Sequence, residues 1–215
     1  GLNTKTNKIG YVAAMGLDNS EVTGGIDAFA LGIYSVNPDA EVYVKVTNSW
    51  YDPKAEEEAA RKLLDMNCDV IAQHCDTVYP QTLAQQKGVY SIGYNSDMSK
   101  EAPEACLCSV IWNWSAYYTS AVQSVIDGTW DGSNYYGGMN ENLVSITPIA
   151  DFAAAATKEK VNMAKQQILS GKNGVFDGVI ETNTGAEVGT AGKTLEDSVI
   201  TGGINWYFKT VKVIE

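Results

Sequence analysis

The sequence predicts an α/β protein in which a Rossmann-like parallel sheet is flanked by helices. Three observations predict it. Short apolar runs such as KIGYVAA and EVYVKVT have the length and β-branched content of buried strands. Segments with helical spacing separate them, and turn or cap signals such as Asn37-Pro38, Asp52-Pro53 and Asp127-Gly128 stand at the joints. Strands alternating with helices in this way imply βαβ units with right-handed crossovers.

The elements follow in order. Lys8–Ala14 reads as the first strand, and Ser20 as the N-cap of a helix running to Val36. Glu41–Thr47 is the second strand. Asp52-Pro53 opens the helix Lys54–Met66, where Pro53 suits the first turn and the acidic run Glu56–Glu58 suits the positive end of the helix dipole. Asp69–Gln73 is a strand, Thr77–Lys87 a helix, and Val89–Tyr94 and Ala105–Ile111 are two more strands. Asn113–Ile126 is helical, and Gly128–Gly138, rich in Gly, Asn, Asp and Tyr, reads as a crossing segment. A last strong helix, Thr157–Leu169, precedes a strand-like Val175–Ile180, a loop at Asn183-Thr184-Gly185 and a tail with Trp206. Residues 1–128 are expected to form one doubly wound ligand-binding lobe, and 129–215 crossing and return segments.

Composition narrows the partners. The 215 residues are 45% hydrophobic and 19% charged, as in an ordinary globular protein. A net charge of −11 argues against nucleic acid or an anionic membrane surface, both of which need a basic face. No apolar run approaches the ~20 residues of a membrane span, and no signal peptide is visible, so an export signal is expected upstream of Gly1. Cys68, Cys75, Cys106 and Cys108 follow no disulfide-framework spacing.

Ligands of open parallel sheets bind past the strands' carboxyl ends, where helix N-termini and loops converge. The residues expected there are Met15-Gly16, Ser49-Trp50, His74-Cys75-Asp76, Asn95-Ser96-Asp97 and Trp112-Asn113-Trp114. Rings supply stacking area while carboxylates and amides fix orientation, a mixture suited to a flat, uncharged, hydrogen-bonding ligand; a sugar also fits it. The candidate ligand residues are Met15, Trp50, His74, Asp76, Asn95, Asp97 and Trp112. Each has a plainer role open to it: Trp50 as a plug of the sheet edge, Asp76 and Asp97 as caps or turn formers, His74 as a structural histidine. Of Trp112 and Trp114, alternation predicts one facing the cleft and one the core, with Trp112 in the cleft.

Other chemistries fit less well. No GxGxxG or Walker pattern marks a phosphate site. Zinc would need Cys106 and Cys108 near His74, Cys75 and Asp76, but those cysteines stand within a strand and no CxxC occurs. No nucleophile has a GxSxG-like setting or an oriented histidine base. Neither catalysis nor a cofactor is expected.

The same residues carry a family resemblance. SWYDP, QHCD, GYNSDM and WNW, together with the flanking KIGYVAAMGLDNS, CSVIWNWSAYYTSAVQSVIDGTW and ETNTGAEVGTAGKTLEDSVITGGINWYFKTV, resemble the basic membrane protein (BMP) family. Its members are solute-binding lipoproteins of ABC importers, purine nucleoside receptors among them. The similarity spans nearly the whole chain and is greatest to a subgroup for free purine bases such as adenine. It implies a type I periplasmic-binding-protein fold of two lobes, of which this chain resembles the second with its return segments. It also implies an extracytoplasmic, lipid-anchored protein that hands its solute to an ABC transporter permease. The first lobe, or a second copy, would then be expected to cover the face bearing Trp50 and Trp112. A ligand-sensing receptor domain is the alternative. Cys68 stands where a glycine is usual in the family and Cys75 where a threonine is common, the latter near enough to the ligand edge to alter selectivity. Nucleoside-binding relatives typically place an aspartate at Asn95 and a lysine at Trp112, so the resemblance implies a bare base here.

Overall fold

A computed structural model describes residues 1–172 and 174–215. The chain runs β1 (Lys8–Ala13), α1 (Ser20–Tyr34), β2 (Glu41–Val46), α2 (Pro53–Asp65), β3 (Val70–His74), α3 (Tyr79–Gln86), β4 (Tyr90–Asn95), β5 (Cys106–Trp112) and α4 (Ser115–Ile126). It continues through β6 (Val144–Ile146), α5 (Thr157–Leu169), β7 (Asp177–Glu181), β8 (Glu187–Thr194), α6 (Asp197–Gly202) and β9 (Val211–Ile214). Seven strands form one sheet in the order β6-β5-β4-β3-β1-β2-β9, while β7 and β8 form a separate hairpin. All neighbours in the large sheet are parallel except β5 and β6.

This order explains where the helices lie. From β1 the chain steps outward to β2, then back across β1 to β3 and onward to β4. Right-handed crossovers therefore put α1 on one face of the sheet and α2 and α3 on the other. Buried between two layers, β1 and β3 are apolar almost throughout: Ile9, Val12, Ala13 and Ile71 are fully buried. α1 turns Val22, Ile26, Ala30 and Ile33 inward, and α2 contributes Ala59, Ala60 and Leu63.

The elements expected from residues 8 to 126 are present, with ends displaced by a residue or two. Asn19, not Ser20, caps α1: its side-chain oxygen accepts from the Val22 N–H at 3.0 Å. Asp52 caps α2 by accepting from the N–H groups of Lys54 and Ala55, and Pro53 takes the first turn. Four elements beyond residue 128 have no counterpart in the sequence pattern: β6, β8, α6 and β9. Each is short or polar and exists through its partner. β9 lies along β2, β6 along β5, and the Gly-rich β8 along β7 across a turn where Gly185 has φ +82°.

The return segment before β9 is pinned from inside. The Phe208 N–H donates to Asp27 Oδ1 at 2.7 Å, while the other carboxylate oxygen is buried without a partner. Burial drives the Asp27 pKa up to about 8, against the lowering effect of the Phe208 N–H. The neighbouring titratable group is Tyr207, whose phenol is itself pushed up, first by burial and then by Asp27. With the folded pKa above its unfolded value, the unfolded chain loses this proton first as pH rises. Stability is thus complete below about pH 4 and is lost progressively towards pH 8. Asp27→Asn retains the acceptor for Phe208 and removes the charge. It is expected to be more stable than the parent by on the order of 3–5 kcal/mol at about pH 8.5, the gap closing towards about pH 4. Denaturant unfolding of both proteins across this range checks it; parallel pH profiles would count against an ionising Asp27.

Candidate ligand-binding edge

The strand order reverses direction at β1, so loops diverge beyond its carboxyl end and that of β3, leaving a crevice. The two ends are tied together: the Ala14 N–H donates to the His74 carbonyl at 3.1 Å. Met15 follows directly, half-buried against the main core.

His74 ends β3 and occupies the middle of an aromatic row. Its ring centroid lies 5.8 Å from that of Trp50, edge-on at 68°, and 4.3 Å from that of Tyr94, tilted at 50°. The residue is 6% exposed. Space for it comes from α1, where Gly25 faces the imidazole: a Cβ at Gly25 would stand 2.8 Å from Nδ1 and 3.1 Å from Cε1. The other nitrogen, Nε2, is buried without a hydrogen-bond partner and lies 3.8 Å from Oε1 of Glu21, in the first turn of α1. His74 in turn holds the Glu21 carboxyl below the usual range.

The remaining candidates surround this row. Trp50 is half-buried, packs on the core, and accepts the Asp76 N–H at its carbonyl, 2.9 Å away. Asp76 is exposed; partial burial and then the nearby Glu56 hold its carboxyl above the usual range, with His74 and Asn95 acting oppositely. Asn95 closes β4 in the left-handed region at φ +70°, which an asparagine tolerates. Asp97 is exposed, and its Oδ1 accepts the Ser99 N–H at 3.0 Å, the turn-forming role open to it from sequence. Among the described residues no hydrogen bond joins it to the row. Burial pushes the Tyr94 phenol up to about 12, with Trp112 beside it acting oppositely. Trp112 therefore adjoins the row through Tyr94.

Trp112 and Trp114 do not divide between cleft and core. They stack on each other, 5.3 Å apart at 19°, and Trp114 stacks on Tyr118 at 5.7 Å. β5 ends at Trp112, so strand alternation no longer governs Trp114, which leads into α4. Cys75 is fully buried and turned inward, next to Gln73 and Glu56, and burial pushes its thiol far up.

A buried polar scaffold fixes the loop carrying these groups. Glu56, fully buried on α2, accepts from the Asp52 N–H with Oε1 and from the Thr77 N–H and hydroxyl with Oε2, the last at 2.6 Å. Gln73 donates to the carbonyls of Cys75 and Thr77, and Gln81 donates to Gln73 and to the Ile92 carbonyl. Among the described residues no three His, Cys, Asp or Glu side chains gather as metal ligands.

A family described as ABC transporter substrate-binding protein, PnrA-like (Bmp), matches residues 1–175. The chain belongs to the Bmp family. The Bmp chain is 36% identical over 204 residues to a purine-binding protein of Brucella abortus, covering 95% of itself and 57% of that protein. It is also 36% identical over 178 residues to a putative ABC transporter glucose-binding protein of Haloferax volcanii, covering 83% and 45% respectively. It thus spans about half the length of these relatives. A crystal structure titled as a transcriptional activator from Bacillus halodurans superposes with a TM-score of 0.69 at 21% identity, over 79% of this chain and 59% of that one. The type I periplasmic-binding-protein architecture expected from sequence is the fold of the Bmp chain.

Tyr94, Glu21 and Gly25 escaped the sequence reading. Tyr94 looks like an ordinary strand residue one short of the loop, and Gly25 like a helix-weakening glycine. Glu21 had a signal: an acidic residue in the first turn of the helix that follows a ligand-facing strand. Gly25→Ala is expected to displace the His74 ring while keeping the helix, since alanine favours helices by ~1 kcal/mol over glycine. Unchanged far-ultraviolet dichroism with a shifted His74 imidazole resonance would bear this out; an unshifted resonance would not.

Proposed function

We propose that this Bmp chain is the ligand-grasping lobe of an extracytoplasmic solute-binding protein that delivers a purine base, adenine-like, to an ABC importer. One observation carries the reading: the row Trp50–His74–Tyr94, extended by Trp112, sits at the sheet's carboxyl edge with Asp76, Asn95 and Glu21 around it. Flat rings gain from aromatic walls, and edge nitrogens gain from fixed polar groups. The purine named for the Brucella relative agrees with this chemistry. Met15 would line the same crevice beside His74, and Asp97 would reach the solute from the loop after β4.

A bare base is favoured over a nucleoside. A ribose needs hydrogen-bond acceptors and donors for its hydroxyls; Asn95 offers an uncharged amide, and Trp112 offers a broad indole in place of a cationic donor. Hydroxyls buried without partners would cost ~1–3 kcal/mol each. Capture would proceed by hinge closure with no bond made or broken. Residues 1–128 would form the lobe proper and 129–215 the crossing and return segments. α4 buries none of its residues and exposes Tyr118, Val122, Val125 and Ile126 beside Trp114, as expected of a surface that another lobe or a second copy covers. A lipid anchor and a permease partner complete the reading.

Calorimetry on the intact protein with adenine, hypoxanthine, adenosine and glucose tests it. Adenine is expected to bind at least about tenfold more tightly than adenosine. Trp50→Ala should lose ~1–3 kcal/mol of that binding, the scale of base–aromatic stacking, with little change in folding. Tighter binding of adenosine than of adenine overturns the base preference. Glucose bound in place of every base overturns the purine reading in favour of the solute named for the Haloferax relative.

A further inference from the structure

We infer that Glu21 is the residue that selects an amino-purine over an oxo-purine, acting as one half of a pair with His74. The inference rests on the purine reading and assigns the pair's chemistry within it.

The pair is built for a ligand to complete. His74 Nε2 is buried, has no hydrogen-bond partner, and lies 3.8 Å from Glu21 Oε1, beyond direct hydrogen-bonding reach. A buried polar atom left in this state costs free energy that a bound group would recover. The imidazole cannot turn to relieve it cheaply, because Trp50 and Tyr94 flank the ring and α1 closes against Nδ1 at Gly25. The Glu21 side chain is 60% exposed and free to meet a solute from the open side. An exposed glutamate is ionised near neutral pH and can only accept hydrogen bonds.

An acceptor beside a buried ring nitrogen reads a specific edge. With Nε2 carrying its proton, His74 donates and Glu21 accepts, the same donor–acceptor combination that a single Asn or Gln side chain presents to the N7 and N6 amine of adenine. Adenine offers an acceptor nitrogen beside an N–H donor and matches both. Along that N7 edge hypoxanthine and guanine place a carbonyl oxygen where adenine has its amine, so two acceptors meet and the oxygen faces an ionised carboxylate. Glu21 therefore discriminates on the amine, while His74 binds the ring nitrogen common to all purines.

The test is the adenine-to-hypoxanthine affinity ratio of the intact protein and of its Glu21→Gln and Glu21→Ala variants. An amide can offer either a donor or an acceptor, so Glu21→Gln should lower the ratio about tenfold, chiefly by improving hypoxanthine. Glu21→Ala should lower it chiefly by weakening adenine. Glu21 is exposed in a first helical turn, and a merely structural or charge-balancing role would weaken both bases alike and leave the ratio unmoved. A ratio unmoved in both variants overturns the inference while the purine reading stands. No binding of any base by the parent protein overturns the purine reading and this inference with it.

Discussion

The arrangement depends on one buried carboxylate. Glu56 has no exposure to solvent, yet both of its oxygens are used, one on the N-terminus of its own helix and the other on Thr77 in the loop after β3. A carboxyl group so placed is tolerable because both of its oxygens accept hydrogen bonds. Removing one partner would strand the others, so the clasp is held in place as well as holding. It fixes the start of α2 and the end of β3 to each other, and these are the segments that present Trp50, His74 and Asp76.

Around the clasp, packing and polarity divide the work. Apolar β1 and β3 supply the rigid floor, and the reversal of strand order at β1 leaves the crevice above it. Gln73 satisfies the carbonyls of Cys75 and Thr77 that the irregular loop would otherwise leave buried and unpaired, and Gln81 donates to Gln73 to hold it there. On the opposite layer, α1 contributes twice: Gly25 makes room for the imidazole, and Asp27 anchors the segment that returns to lay β9 along β2. The same helix that shapes the site therefore couples it to the far edge of the sheet.

The proposed binding would need no reactive group, its energy coming from surfaces brought together. The thiols lie in surroundings that keep them protonated, the imidazole is walled by rings, and the carboxylates are engaged in turns, caps or the site's rim. Under the proposed function the chain would present one wall of a cleft. The uncovered aromatic face running from Trp112 to Tyr118 adjoins that wall, where a closing partner would meet both the protein and its solute.

By itself the sequence determined the alternation of strand and helix from Lys8 to Ile126, because apolar periodicity and caps such as Asp52-Pro53 are local properties. It also brought the candidate residues to the strand ends, although His74, Asn95 and Trp112 close their strands and do not lie past them. Pairing decided the rest. β6, β8 and β9 are short or polar and become strands only where a neighbour offers its backbone, information that no window of sequence holds. Strand alternation could not place Trp114 because the strand had already ended. Nor could any local pattern bring Glu21, Gly25 and Tyr94 to His74: the first two come from α1 and the third from β4, and only the packing of α1 on the sheet and the pairing of β4 with β3 make them neighbours. Spacing along the chain sets which groups are available, and the topology of the sheet sets which of them meet.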